Sequence, residues 1–228
     1  MYFVHALNRL RWYEKLLWGI SVCVIIVPFY VFHSDDYLNL TASLIGVSAL
    51  IFVAKGDIIG QIGSVIFSVF YAIVSFHFRY WGEMITYLFM TAPIAAGAVY
   101  TWFKNPYAKG EVRIRHLKVS EWGILCVLTV IATFVFGWIL RVLNTPNLFF
   151  STLSIATSFL AASLVLLRSE YYGLAYAAND LVLIVLWILA TKVQWNYFPM
   201  VLCFAMFFIN DVYGFYNWKR LKNKQLDN

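Results

Sequence analysis

The sequence predicts an all-α polytopic membrane protein, in which one extra N-terminal helix precedes a 3+1+3 parallel repeat of helices. Its composition, its apolar runs and an internal repeat predict this fold. The 228 residues are 62% hydrophobic and only 12% charged, and the mean hydropathy is +0.75. Because an ordinary soluble domain is about 25% charged, we expect this chain to use lipid as its solvent.

Eight apolar runs supply the predicted crossings, since a spanning helix needs about 20 largely apolar residues. The runs are 16–33, 39–54, 58–78, 82–103, 122–140, 148–167, 172–190 and 196–218. Only the second is short for a full crossing. The first follows a basic segment, as in a signal peptide, but no small-residue cleavage site follows it, so we expect it to be retained. These runs leave no room for a soluble catalytic domain.

The basic residues predict the orientation, because cytoplasmic loops carry the excess of Lys and Arg. With the N-terminus inside, only Arg79, Arg141 and Lys192 of the 17 basic residues lie outside, and the acidic turn 33–36 is also outside. We therefore expect eight crossings of the cell membrane with both termini cytoplasmic. This topology and anionic lipid explain the basic loop 104–118 and tail 219–224, so no nucleic-acid partner is expected.

An internal repeat emerges when the chain is shifted against itself by 116 residues. Residues 82–102 then align with 198–218. The matched pairs are Met84 with Met200, Met90 with Met206, Tyr100 with Tyr216, and Trp102 with Trp218. We expect the match to continue upstream without a gap, pairing Gly63–Ser64 with Asn179–Asp180 and Tyr71 with Trp187.

The repeat predicts the domain organisation. The offset spans four crossings, an even number, so both copies insert in the same direction, as in the SWEET sugar carriers. The expected parts are a tail and extra helix (1–38), a first three-helix bundle (39–103), a basic loop and linker helix (104–147), a second bundle (148–218) and a cytoplasmic tail (219–228).

Three acidic residues lie within the predicted crossings, where charge is costly and marks a candidate functional site. They are Glu83, Asp180 and Asp211, and an asparagine precedes each aspartate, at Asn179 and Asn210. Buried Asn and Asp can also act only as hydrogen-bonding glue between helices. We favour function for the Asn-Asp pairs, because charge at this depth is hard to explain as glue.

Aromatic and polar side chains share faces with these acids. The further candidates are Tyr176 and Trp187 beside Asp180, Tyr213 beside Asn210, and Thr86 and Tyr87 beside Glu83. Carboxylates, amides and aromatic faces together suit a flat, polar, cationic ligand, because rings add cation–π contacts. The third segment carries Gly60, Ser64, Ser68, Tyr71 and Ser75, which we interpret as a packing seam of small residues.

The sequence indicates neither a metal site nor a cofactor. Cys23, Cys126 and Cys203 are scattered in apolar stretches without metal-ligand spacing, and the four histidines form no cluster. An intramembrane enzyme would need a nucleophile–base pair or a metal at depth, and no histidine lies there, so catalytic residues are not expected. A receptor or scaffold without transport stays open as an alternative.

With these residues in place, the chain resembles the PnuC family of vitamin transporters, of the Gram-positive type. The stretches that carry the resemblance are FRYWGEMITYLFMTAP (78–93), YAANDLVLIVLWILA (176–190) and INDVYGFYNWKR (209–220). The resemblance implies import of nicotinamide riboside by facilitated diffusion with alternating access. It also implies trapping by a cytosolic nicotinamide riboside kinase, which feeds NAD biosynthesis, and a possible homo-oligomer.

The resemblance carries over to the site only in part. Asn179 corresponds to the family's asparagine in the second bundle. The Trp-rich run that precedes this asparagine in Gram-negative members reads Tyr171, Tyr172 and Tyr176 here, and the family's binding glutamine has no clear counterpart near Thr86 and Tyr87. Thiamine is also a flat cation, so thiamine or another vitamin, with or without proton coupling, stays open as the substrate.

Overall fold

Eight long helices make up the fold in this computed structural model, which describes residues 6–31, 37–77, 81–107 and 110–227. They are α1 (Trp12–Val31), α2 (Tyr37–Ala54), α3 (Ile58–His77), α4 (Trp81–Lys104), α5 (Val119–Val142), α6 (Leu148–Leu166), α7 (Tyr172–Val193) and α8 (Phe198–Leu226). Each is long and apolar enough to span a membrane. The predicted all-α polytopic fold is confirmed, whereas the predicted acidic turn 33–36 lies outside the described residues.

The last helix is longer than its apolar run indicates, since α8 continues past residue 218 to Leu226. The added residues are mostly Lys, Arg, Leu, Asn and Gln, and all but Asn are good helix formers. One face of the extension is also anchored, because Leu221 is 8% exposed and packs in the core. Hydropathy alone therefore locates the membrane crossing but not the end of the helix.

Six of the helices form a closed ring, in which each helix packs against the next. The order around the ring is α2, α3, α4, α6, α7, α8 and back to α2. The ring divides into two halves, α2–α4 and α6–α8, which meet at two seams, α2 with α8 and α4 with α6. This order is the one that a two-fold arrangement of the predicted repeats would produce.

The other two helices lie outside the ring, one over each seam. Helix α1 packs on both α2 and α8, and α5 packs on α6 and on the first turns of α4. On the first seam, Glu14 of α1 accepts hydrogen bonds from Lys55 (3.0 Å) and from the Tyr213 hydroxyl of α8 (2.5 Å). Helices α1 and α5 thus have corresponding positions relative to the two halves.

The turns that end α2 and α6 have the same backbone structure. Each contains one residue with positive φ, Gly56 at 72° and Arg168 at 59°. The residue after it caps the next helix, since Asp57 Oδ1 accepts from Ile59 N at 3.1 Å and Ser169 Oγ accepts from Tyr171 N at 3.4 Å.

These turns correct the predicted register of the repeat. Gly56 and Arg168 differ by 112 positions, not 116, so the sequence match does not extend without a gap through α3 and α7. The turn register pairs Ser68 with Asp180 and Phe67 with Asn179. Trp102 and Trp218, which bond the Val165 and Val53 carbonyl oxygens reciprocally, differ by 116, so the second half has four more residues than the first between its turn and its tryptophan.

A pair of tryptophans joins the two halves at one end of the ring. Trp102 Nε1 donates to the Val165 carbonyl oxygen at 3.1 Å, and Trp218 Nε1 donates to the Val53 carbonyl oxygen at 2.9 Å. Each tryptophan thus bonds the penultimate residue of the first helix in the opposite half. Their ring centroids lie 5.4 Å apart, and both side chains are at most 2% exposed.

Residues 110–117, which we call the strap, cross this same end of the ring. Val112 N donates to the Gly56 carbonyl oxygen (2.9 Å), and Arg115 N donates to that of Arg168 (3.0 Å), so the strap bonds the equivalent residue of both turns. Gln225 of α8 makes two further hydrogen bonds to the strap backbone. We call this end the strap end and the opposite end the open end.

Candidate functional site

The ring encloses a cavity of about 620 Å³, which is within the range of small-molecule sites. Its lining runs from Trp81, Thr145 and Tyr197 at the open end down to Val53 and Val165. The carbonyl groups of these two valines accept the indole hydrogen bonds of the tryptophan pair. The packed aromatic cluster at the strap end therefore forms the floor of the cavity.

The ionisable side chains Glu83, Asp180 and Asp211 make the cavity acidic. All three belong to its lining, and none of the described lining residues is Lys, Arg or His. A low-dielectric site with acidic groups and without a protein cation favours a cationic ligand, since opposite charges attract strongly away from bulk water.

Two of the acids form a pair deep in the wall. Asp180 of α7 and Asp211 of α8 are each 3% exposed, and their carboxyl groups are hydrogen-bonded to each other. Such a bond needs a proton, because two carboxylates have only acceptor atoms. Asp180 belongs to the cavity lining, although its Oδ2 atom is itself buried.

Asn179 adds an amide next to the acid pair. Its side chain lines the cavity and is 5% exposed. The Thr157 hydroxyl of α6 donates to Asn179 Oδ1 at 2.8 Å. Donors from Asn179 and acceptors from Asp180 thus occur side by side in the wall.

Aromatic rings form much of the remaining wall. Tyr71 and Tyr87 lie with ring centroids 4.5 Å apart, and Trp187 stacks on Phe204 at 6.4 Å with an interplanar angle of 15°. Tyr176 also lines the cavity, between these groups and the acid pair. Four rings with hydroxyl or indole edges can contact a flat cation through their faces.

The wall from the first half contains an irregular turn. Residues Tyr87–Thr91 of α4 form a π-helical turn, of the kind that is frequent at functional sites. Tyr87 and Thr91 line the cavity there, and Glu83, one turn earlier, is hydrogen-bonded to Tyr71. The π turn rotates the later part of α4 relative to the part that carries Glu83.

The structure brings together eight of the ten predicted site residues. The eight that line the cavity are Glu83, Thr86, Tyr87, Tyr176, Asn179, Asp180, Trp187 and Asp211. The other two face α1: Asn210 Nδ2 donates to Ser21 Oγ at 3.0 Å, and the Tyr213 hydroxyl donates to Glu14. Asn210 precedes Asp211 by one residue and Tyr213 follows it by two, so both point away from the cavity face of α8, which Asp211 occupies.

The lining also includes residues that the sequence assigned to packing. Ser64, Ser68 and Tyr71 of α3 line the cavity beside Gln61, whereas they were expected in a seam of small residues. Their spacing follows one face of a helix, which is the signal that both interpretations share. A contribution from the α5–α6 connection, residues 143–147, carries no sequence signal.

A membrane protein of eight spanning helices around a deep, acidic and aromatic cavity has the architecture of a small-molecule transporter. The chain belongs to the family described as nicotinamide mononucleotide transporter, whose family model matches residues 36–220. This family consists of transporters and not of enzymes, and the resemblance to PnuC proteins noted in the sequence is confirmed.

Individual relatives extend the comparison. The nicotinamide riboside transporter PnuC of Neisseria mucosa is 27% identical over 214 residues, which cover 91% of this chain and 81% of the relative. The protein of the same name from Haemophilus influenzae is 23% identical over 210 residues, covering 91% and 90%. The crystal structure of the vitamin B3 transporter PnuC matches with a TM-score of 0.81 at 25% identity and covers 94% of each chain.

Proposed function

We propose that this protein carries nicotinamide riboside across the cell membrane by facilitated diffusion. The observation that carries the proposal is the cavity, in which three acids and nine aromatic side chains occur without a basic residue among the described lining. Nicotinamide riboside has a flat pyridinium cation, a carboxamide and a ribose. The rings and acids suit the cation, and the amide of Asn179 suits a polar substituent. Two relatives bear the name nicotinamide riboside transporter, which supports the same substrate.

The mechanism that we propose is alternating access between the two halves of the ring. The cavity extends to the open end, and the tryptophan pair and strap close it at the other end. This asymmetry is what one end state of such a cycle requires. The other end state would part Trp102 from Val165 and Trp218 from Val53, and would close the open end around the ligand.

We propose the orientation that places the strap end in the cytoplasm, with both termini there. The excess of basic residues in the strap, the turns and the C-terminal tail supports it. Substrate entering from the open end would then leave toward a cytosolic nicotinamide riboside kinase, whose phosphorylation of the product would prevent its return. A homo-oligomer in the lipid bilayer remains part of the proposal.

Thiamine is the second candidate substrate, because its thiazolium ring is also a flat cation that the same acids and rings would accept.

Proton coupling is the second candidate mechanism. Asp180 and Asp211 lie side by side in the cavity wall, and a carrier that moved a proton shared by them would show uptake with a steep pH dependence.

The test combines binding with flux. Calorimetry on the purified protein measures binding of nicotinamide riboside and of thiamine. Proteoliposomes, first without any ion gradient and then with an imposed proton gradient, measure uptake of the ligand that binds. We expect selective binding of nicotinamide riboside and uptake that stops at equal concentrations on both sides. Selective binding of thiamine would make thiamine the substrate in place of nicotinamide riboside. Accumulation driven by a proton gradient would replace facilitated diffusion, and binding without flux would contradict transport.

A further inference from the structure

A threonine behind the cavity wall fixes the orientation of the Asn179 amide. Thr157 of α6 is not itself part of the cavity lining, whereas Asn179 is. The Thr157 hydroxyl lies 2.8 Å from Asn179 Oδ1 and donates to it. No other described side chain bonds the Asn179 side chain, so the two N–H donors of Nδ2 remain for a ligand.

Three acceptors lie near the single hydroxyl proton of Thr157, and Asn179 Oδ1 is the nearest of them. Leu153 and Ser154, one turn earlier in α6, each present a carbonyl oxygen 3.1 Å from Thr157 Oγ1. The shortest contact of the hydroxyl is the one to Asn179. A β-branched threonine also has few rotamers in a helix, so the hydroxyl cannot easily turn away from α7.

The consequence is a donor next to an acceptor. Asn179 presents N–H groups, and the adjacent Asp180, whose carboxyl oxygens are hydrogen-bond acceptors, lines the same cavity. A primary carboxamide has the complementary pair, a carbonyl acceptor and an NH₂ donor. An amide turned the other way would instead present Asn179 Oδ1 and place two acceptors side by side, which suits a carboxamide less well.

We propose that Thr157 is a positioning residue that gives the cavity its selectivity for heteroaromatic cations bearing a carboxamide, by holding the Asn179 amide nitrogen toward the ligand. The inference rests on the proposed function, because it concerns the ligand of the same cavity. Thr157 acts only through Asn179 and does not touch the ligand.

The test pairs a change in the protein with a change in the ligand. Binding of nicotinamide riboside and of N-ribosylpyridinium, which lacks the carboxamide, is measured by calorimetry on wild type, Thr157→Val and Thr157→Ser. We expect Thr157→Val to weaken nicotinamide riboside binding roughly tenfold, the value of one hydrogen bond of about 1.4 kcal/mol, and to leave N-ribosylpyridinium binding unchanged. Thr157→Ser keeps the hydroxyl and should show the wild-type ratio of the dissociation constants of the two ligands.

A matched control is Thr133→Val in α5, whose hydroxyl bonds only the Thr129 carbonyl oxygen of its own helix at 2.7 Å. Thr133→Val should change the affinity for neither ligand. If Thr157→Val does not fold, Thr157→Ala removes the same hydroxyl without adding a methyl group at its place.

Three results would overturn the inference. Equal weakening of the binding of both ligands by Thr157→Val would show a merely structural role. Unchanged affinity of this variant for both ligands would show no role. Both leave the proposed function intact. Failure of the wild type to bind nicotinamide riboside would remove the proposed function itself and the inference with it.

Discussion

At the scale of single residues, the acid pair Asp180–Asp211 dominates the chemistry of the cavity. Two buried acids in contact cannot easily both carry charge, so a proton shared between them would make their burial less costly. A cationic ligand would compensate the remaining charge. The equivalent position in the first half is Ser68, so the two halves differ in charge where they resemble each other in backbone.

We predict that Asp180→Asn weakens the binding of nicotinamide riboside without unfolding the protein. The amide keeps a hydrogen bond to Asp211 but removes the charge, and a hydrogen bond to a charged group is worth about 1.5–3 kcal/mol, or roughly 10–100-fold in Kd. Calorimetry measures the effect. Asp227→Asn at the exposed end of α8 is the matched control and should bind as wild type does. Equal affinity in both variants would remove Asp180 from the site.

The ring of Tyr176 provides a second prediction. Tyr176→Leu should weaken cation binding by roughly 2–30-fold, because a cation–π contact is worth about 0.5–2 kcal/mol. Tyr176→Phe keeps the ring and should bind nearly as tightly as the wild type. Titrations of both variants with the same cation separate the ring from the hydroxyl, since equal losses in the two would assign the effect to the hydroxyl.

The three acids of the cavity could be predicted because charge inside an apolar run is visible in the sequence. The direction in which such side chains point could not be predicted. Asn210 and Asp211 are neighbours in the chain, but successive residues of a helix point about 100° apart, so one faces α1 and the other the cavity. Thr157 escaped prediction because a threonine in a membrane helix usually bonds its own backbone, and only the fold brings it to Asn179.

At the scale of elements, the turns after α2 and α6 set where the helices of each half begin. Gly56 and Arg168 have the same positive φ, which costs a residue with a side chain about 1–2 kcal/mol. The second half accepts this cost with an arginine, whose guanidinium Nη1 donates to the Arg113 carbonyl oxygen of the strap at 3.3 Å. Burial and the nearby charges of Arg115 and Arg113 lower the pKa of Arg168.

We predict that Gly56→Ala lowers the free energy of unfolding by about 1–2 kcal/mol. The cause would be backbone strain alone, because the added Cβ would lie no nearer than 3.6 Å to Val112. Thermal unfolding in detergent measures the change. Gly123→Ala in α5 is the control, since its Cβ would meet nothing within 4 Å and its backbone is helical. An equal loss in the two variants would contradict the strain argument.

Sequence analysis located the helices well and their registers less well. Apolar runs fix a crossing to within a few residues, but α8 extends beyond its run because the strap anchors its polar end. The repeat was predicted from α4 and α8, where the matched pairs Met90 with Met206 and Trp102 with Trp218 are buried. It was misaligned in α3 and α7, because the four extra residues of the second half shift the register and similar apolar residues match in either register.

At the scale of the whole molecule, the reciprocal tryptophans couple the two halves. Each half closes the cavity floor of the other through one indole hydrogen bond, and the strap bonds both turns just beyond them. Opening the strap end would therefore require both bonds to break in one movement. The ring order itself could not be predicted from the sequence, since it depends on contacts between helices far apart in the chain.

We predict that Trp102→Phe and Trp218→Phe loosen the strap end to a similar extent. Each variant keeps an aromatic ring and loses one hydrogen bond of about 1 kcal/mol, which corresponds to roughly fivefold faster local opening. Hydrogen–deuterium exchange of residues 110–117 measures it. Trp138→Phe, at a site that is 68% exposed, is the control. An effect in only one of the two variants would contradict the two-fold arrangement of the floor.

The positions of α1 and α5 bear on whether a solute reaches the cavity from water or from the lipid bilayer. Helix α1 covers the α2–α8 seam and α5 packs over the α4–α6 seam, so in the proposed alternating-access cycle both helices would separate the seams from lipid. Entry is then governed by the concentration of solute dissolved in water and not by its partition into the bilayer. A water-soluble nucleoside is served by such a route, whereas making it more lipophilic would bring it no closer to the acid pair.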